Sequence, residues 1–180
     1  AGPSLGLGKV IVMADVSGSM SGTPMSVSIA MGILMSEVCH PAFRDLVLTF
    51  HESPTFHNLA GLTTFAAKVR SLASAPWGGS TNFEAALKLV LRVVEEKRLP
   101  QEDIPDMMVV SDMQFDQASR DSDRWNVMYQ NIEAEFKKLG LRLYGKALTP
   151  PNIIFWNVRA AEGFPAAADQ KGVMFLSGFS

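Results

Sequence analysis

The chain has 180 residues, an apolar fraction of 47% and a formal charge of −2, enough for one domain with a core of its own. Near-balanced charge without a basic block excludes an electrostatically driven nucleic-acid or anionic-membrane surface, and no stretch approaches the roughly 20 apolar residues of a membrane span. The single cysteine, Cys39, excludes an internal disulfide, so a buried thiol in a reducing, intracellular setting is the expectation.

The first apolar run, Lys9 to Ala14, predicts a strand that delivers Asp15-Val16-Ser17-Gly18-Ser19 into a loop. Thr23-Pro24 reads as an N-cap and first helical residue, opening a helix from Pro24 to Cys39 with a buried stripe of Val27, Met31, Leu34 and Val38. Leu46 to Phe50 is the second strand and Pro54 to Leu59 a short edge strand. A helix over Thr64 to Ala73 leads into the loop Ser74-Ala75-Pro76-Trp77-Gly78-Gly79-Ser80. The strongest helical pattern runs from Asn82 to Arg98, with Phe83, Ala86, Leu87, Val90, Leu91 and Val94 facing inward. Met107 to Ser111 is a buried strand, and a helix from Trp125 to Leu139 stops at Gly140. Asn152 to Trp156 and Gly172 to Leu176 complete five or six strands. Strands alternating with helices predict an α/β fold, a Rossmann-like, doubly wound and mostly parallel sheet of about six strands with helices on both faces, in one domain over 1–180.

Asp15, Ser17 and Ser19 offer only oxygen, which suits Mg²⁺, Mn²⁺ or Ca²⁺ and not zinc or copper. Alternate residues of an extended segment point to one side, and Gly18 lets the chain curl so that the three converge. In an open parallel sheet, ligands bind beyond the carboxyl ends of the strands where the strand order reverses. Val109-Val110-Ser111-Asp112 repeats the first pattern, an apolar strand ending in aspartate, and Gly78-Gly79-Ser80-Thr81-Asn82 brings a hydroxyl to the head of the long helix. Three separate segments therefore bring oxygen to one edge.

These residues resemble the von Willebrand factor A domains and their metal-ion-dependent adhesion site. Asp15-Val16-Ser17-Gly18-Ser19 matches the D-x-S-x-S motif, Thr81 the threonine of the second motif and Asp112 the aspartate of the third. The resemblance implies one divalent ion, Mg²⁺ or Mn²⁺ with Ca²⁺ as an alternative, held by Asp15, Ser17, Ser19, Thr81 and Asp112, and ligand binding instead of catalysis. More narrowly, Ser17 to Met25, Trp77 to Phe83, Ser111 to Gln117 and Ile154 to Asn157 are similar to an intracellular branch related to the Ro (TROVE) RNA-binding proteins. A ribonucleoprotein context comes from that resemblance alone. Gly79-Ser80-Thr81 carries one residue more than the commoner motif, so Ser80 competes with Thr81, and Thr81 to Glu84 also reads as a capping box. The last helix such domains carry after their final strand has no counterpart before Ser180.

Charge gives the expected action of the site. If the carboxylates act through water, neutral hydroxyls dominate the inner sphere, the ion stays electrophilic, and an open position favours an Asp or Glu carboxylate from a partner protein. The competing enzyme reading is a Mg²⁺-dependent haloacid-dehalogenase-like phosphotransferase or phosphatase with Asp15 as nucleophile. That chemistry places a second acid two residues on, where this chain has Ser17. A third reading is a structural domain whose closed ion only ties loops together. Among other residues, His51 and Glu52 belong to the rim of the crevice or to a solvated loop, and Trp77 to an apolar platform or a core-covering loop. His40 and His57 lack zinc spacing, Met13, Met31, Met107 and Met108 fill the core, and Asp116, Asp121 and Asp123 are solvated, with Asp116 in reach of an outer-shell role.

Overall fold

The computed structural model describes residues 9–15, 23–75, 82–111, 122–157 and 173–177. In chain order these form β1 (Val10–Ala14), α1 (Thr23–Val38), β2 (Leu46–Thr49), β3 (Phe56–Asn58), α2 (Phe65–Ala73) and α3 (Phe83–Lys97). A single turn of 3-10 helix (Gln101–Asp103), β4 (Asp106–Ser111), α4 (Ser122–Tyr144), β5 (Ile153–Asn157) and β6 (Val173–Ser177) follow. The strands make one sheet in the order β3-β2-β1-β4-β5-β6. All pairings are parallel except that of β2 with β3, as the α/β pattern and the short edge segment predict.

Strand alternation divides the core. Ile11, Met13, Leu48, Met107, Val109, Ile153 and Phe155 face α3 and α4, whereas Val10, Val12, Ala14, Val47, Met108, Val110 and Ile154 face α1 and α2. β1 and β4 are buried on both faces because each face carries a helical layer, and this is why they read as continuous apolar runs. On α3 the inward set is as expected: Phe83, Ala86, Leu87, Val90 and Val94 are buried and Leu91 is partly so.

Two helices differ from expectation. In α1 the expected stripe fails, since Leu34 is 52% and Val38 55% exposed. The buried face runs instead through Ser28, Ile29, Gly32, Ile33, Met35 and Ser36. α1 is apolar nearly all round, so periodicity alone does not choose its inward face; small residues do. A β-carbon on Gly32 would stand 3.3 Å from Val47 Cγ1 and 3.7 Å from the Ala14 methyl, so the absent side chain sets how closely the helix lies on β1 and β2.

α4 begins at Ser122 and continues through Gly140 to Tyr144, past the predicted stop. It ends at Gly145, whose φ of +69° suits a left-handed cap and whose N–H donates to the Leu141 carbonyl at 3.2 Å. Gly140 has a different task. A β-carbon there would come within 2.5 Å of Leu148 N and also strike the Lys146 carbonyl oxygen, so this glycine lets the returning chain cross the helix.

Candidate metal centre at the carboxyl edge

The sheet order reverses between β1, which continues to β2 on one side, and β4, which continues to β5 on the other. Helices leave to opposite faces at this point and open a crevice beyond the carboxyl ends. Asp15 stands there directly after β1, only 2% exposed, its N–H donating to the Val110 carbonyl of β4 at 3.0 Å. In the strand alternation Asp15 continues the Ile11 and Met13 series, the series on the α3 and α4 side of the sheet. β4 ends at Ser111 and β5 at Asn157, side by side in register.

Neighbouring segments are fastened to the same edge. Thr49 ends β2 fully buried, and its Oγ1 accepts from the Thr55 N–H at 2.9 Å, closing the loop that follows. Within that loop His51 Nδ1 accepts from the Ser53 N–H at 3.1 Å, which leaves the proton of a neutral ring on Nε2. The Asn82 N–H donates to the His51 carbonyl at 3.3 Å, tying the head of α3 to the end of β2. The amino end of α3, with its partial positive charge, is thereby tied to the loop after β2.

Of the expected ligands, Asp15 directly follows β1; Ser17, Ser19, Thr81 and Asp112 lie outside the described residues, as do Ser80, Trp77, Asp116 and Asp121. Asp123 falls in the first turn of α4. The capping-box reading of Thr81 and Glu84 is corrected. Asn82 is the N-cap of α3, its Oδ1 accepting from the Ala85 N–H at 3.0 Å, and Glu84 pairs instead with Lys88 at 3.3 Å. Asparagine caps at least as well as threonine, so Asn82 was the residue that a reading centred on Thr81 passed over. With the cap supplied by Asn82, Thr81 is not needed to close the helix.

His51, half-buried, and Glu52, exposed, belong to the loop after β2. The other histidines serve structure. His40 Nδ1 accepts from the Ala42 N–H at 3.1 Å while Nε2 lies 3.5 Å from Asp103, and His57 Nε2 meets Ser71 Oγ at 2.9 Å. Burial lowers the His57 pKa and raises that of the Cys39 thiol, so the thiol stays protonated and unreactive. Among the described residues no three histidine, cysteine, aspartate or glutamate side chains converge as metal ligands. As residue types, Asp15, Ser17, Ser19, Thr81 and Asp112 offer only oxygen, a chemistry that suits a hard dication.

Residues 9–180 match the family model described as a domain of unknown function, DUF7788. The chain belongs to the DUF7788 family. An uncharacterised protein of Acanthamoeba polyphaga mimivirus is 37% identical to this DUF7788 domain over 176 residues, which cover 96% of this chain and 29% of the viral protein. The chain thus spans under a third of that relative's length. The crystal structure of the Ro (RSR) protein of Deinococcus radiodurans has a similar fold, with a TM-score of 0.54 over 96% of this chain and 32% of the Ro chain. Sequence identity to it is 19%. Among the described residues of the DUF7788 domain no helix is long and apolar enough to cross a membrane.

Proposed function

We propose that this DUF7788 domain is a divalent-metal-dependent protein-binding module. Asp15, Ser17, Ser19, Thr81 and Asp112 would hold Mg²⁺ or Mn²⁺ at the carboxyl edge, and an Asp or Glu carboxylate of a partner would complete the coordination. The observation that carries this reading is the position of Asp15: a buried carboxylate directly after β1, bonded through its backbone to β4 at the reversal of strand order. The head of α3, which follows Thr81 in sequence, is tied to the end of β2 at the same edge. When bound, the ion would supply a Lewis-acidic position for an anionic oxygen. The chain's own residues would orient it: Asp15 by a strand-end carboxylate, the serines by neutral oxygens, and α3 by a helix amino end favourable to negative charge.

Binding is preferred to phosphoryl transfer because Ser17 stands where general-acid work would need a carboxyl group, and an aliphatic hydroxyl does not ionise near neutral pH. The likeness in fold to the Ro protein adds an intracellular, ribonucleoprotein-associated setting to the proposal. Titration calorimetry with MnCl₂ tests it. Wild type takes up one ion, Asp15→Ala and Asp112→Ala take up none while keeping the wild-type circular dichroism, and Mn²⁺ uptake unchanged in Asp15→Ala overturns the assignment.

A further inference from the structure

Asn82 holds the head of α3 through three hydrogen bonds. Its Oδ1 accepts from the Ala85 N–H at 3.0 Å, its carbonyl accepts from the Ala86 N–H at 3.1 Å, and its N–H donates to the His51 carbonyl at 3.3 Å. The first two belong to the opening turn of α3, and the third reaches the loop after β2. The backbone at Asn82 is extended, with φ of −101° and ψ of 99°, so the incoming chain turns into the helix at this residue. Phe83, which follows, is buried and packs edge-on against Trp125 and Phe155, with centroids 5.5 and 5.6 Å away. The amino end of α3 is thus fastened to its own first turn, to the loop after β2, and to α4 and β5.

Thr81 is joined to this anchor by one peptide bond. Each residue has only two soft backbone dihedrals, so fixing Asn82 restricts where the Thr81 hydroxyl can go. A hard dication is exacting in return: Mg²⁺ demands near-ideal octahedral geometry, and the groups that meet it have to be held to within about 0.5 Å. A hydroxyl committed to capping a helix is not open to an ion. The two adjacent residues therefore divide the work, one holding the helix and the other meeting the ion.

We infer that Asn82 is a positioning residue for the metal centre: by capping α3 it fixes the turn that presents the Thr81 hydroxyl to the ion, without itself touching the ion. The inference rests on the metal-dependent binding proposed above and adds to it a residue outside the ligand set.

Titration calorimetry with MnCl₂ on cap variants tests it. Asn82 is exposed, so its substitutions leave the core alone, and the backbone bond to His51 needs none of its side chain. Asn82→Ala removes the cap, and Asn82→Gly removes the side chain while keeping nearly all of the helix stability, because glycine is tolerated as an N-cap. Both bind Mn²⁺ about tenfold more weakly than wild type, as loss of a group that orients a metal ligand should. Asn82→Ser returns an acceptor oxygen to the cap and binds within about twofold of wild type. Thr64→Ala is the control for the loss of a cap as such. Thr64 caps α2 in the same way, its Oγ1 accepting from the Ala67 N–H at 3.1 Å, but α2 follows β3, whose last residue Asn58 lies beside Leu46 at the amino edge of the sheet. Thr64→Ala lowers the melting temperature and leaves Mn²⁺ affinity unchanged. Wild-type affinity in Asn82→Gly, failure of Asn82→Ser to restore binding, or equal weakening by Thr64→Ala overturns the positioning role and leaves the metal centre standing. Absence of Mn²⁺ uptake by wild type removes both.

Discussion

The Asp15 N–H donates to the Val110 carbonyl at 3.0 Å, so the residue that leaves β1 is also bonded to β4. Adjacent strands stand about 4.8 Å apart, and a carboxylate at one strand end is therefore within ion-sharing range of groups at the other. Backbone pairing between the strands contributes to this placement.

This placement predicts a clean separation in Asp15→Asn. The backbone bond to Val110 and the side-chain volume are retained while one negative charge is removed, so folding without metal stays close to wild type. Mn²⁺ affinity falls at least about tenfold, a loss of about 1.4 kcal/mol. Thermal denaturation with and without excess MgCl₂ reads this as linkage: Mg²⁺ raises the wild-type midpoint more than the variant's.

The helical glycines Gly32 and Gly140 respond differently to alanine. At Gly140 a β-carbon meets backbone atoms of Lys146 and Leu148, which have no rotamer to change, so Gly140→Ala costs about 2–3 kcal/mol despite alanine's better helix propensity. At Gly32 the nearest atoms are side-chain carbons 3.3 and 3.4 Å away, on Val47 and Leu72, and Gly32→Ala stays within about 1 kcal/mol of wild type. Urea melts of both variants decide it; equal stabilities contradict the account of the α4 crossing.

Asp106 gives the folded state a signature in pH. Desolvation raises its pKa above the ordinary 3.8, against the opposing pull of its hydrogen bonds with Asn152. The fold therefore favours the neutral carboxyl, and the resulting stabilisation, present below the ordinary pKa, is lost as the pH rises through the folded value. Asp106→Asn keeps an oxygen for the Asn152 N–H and does not ionise, so it is more stable than wild type at pH 7. The gap closes as the pH falls below 3.8. Denaturation midpoints across that range that show a constant gap, or a wild type more stable at neutral pH, contradict this.

Much of the architecture was legible because buried strands and the α3 stripe carry their periods openly. β1 and β4 are unbroken apolar runs, and Phe83, Ala86, Leu87, Val90 and Val94 repeat at helical spacing. What escaped depended on close approach. α1 is apolar on nearly every face, and only the proximity of Val47 and Ala14 reveals why Gly32 turns inward and Leu34 outward. Gly140 looks like a helix stop in one dimension and is a crossing point in three. At the site, Asp15 was readable because a strand must end before a polar loop. Asn82 was not, because two adjacent residues, Thr81 and Asn82, both make good caps and only the bond to Ala85 chooses between them.

Anomalous scattering from crystals grown with MnCl₂ tests the central claim most directly. The account predicts one strong peak at the carboxyl edge beside Asp15, within about 2.0–2.4 Å of oxygens from Ser17, Ser19 or Thr81, with Asp15 and Asp112 bound directly or through water. A manganese peak elsewhere, or none at a concentration that saturates the calorimetric signal, contradicts it.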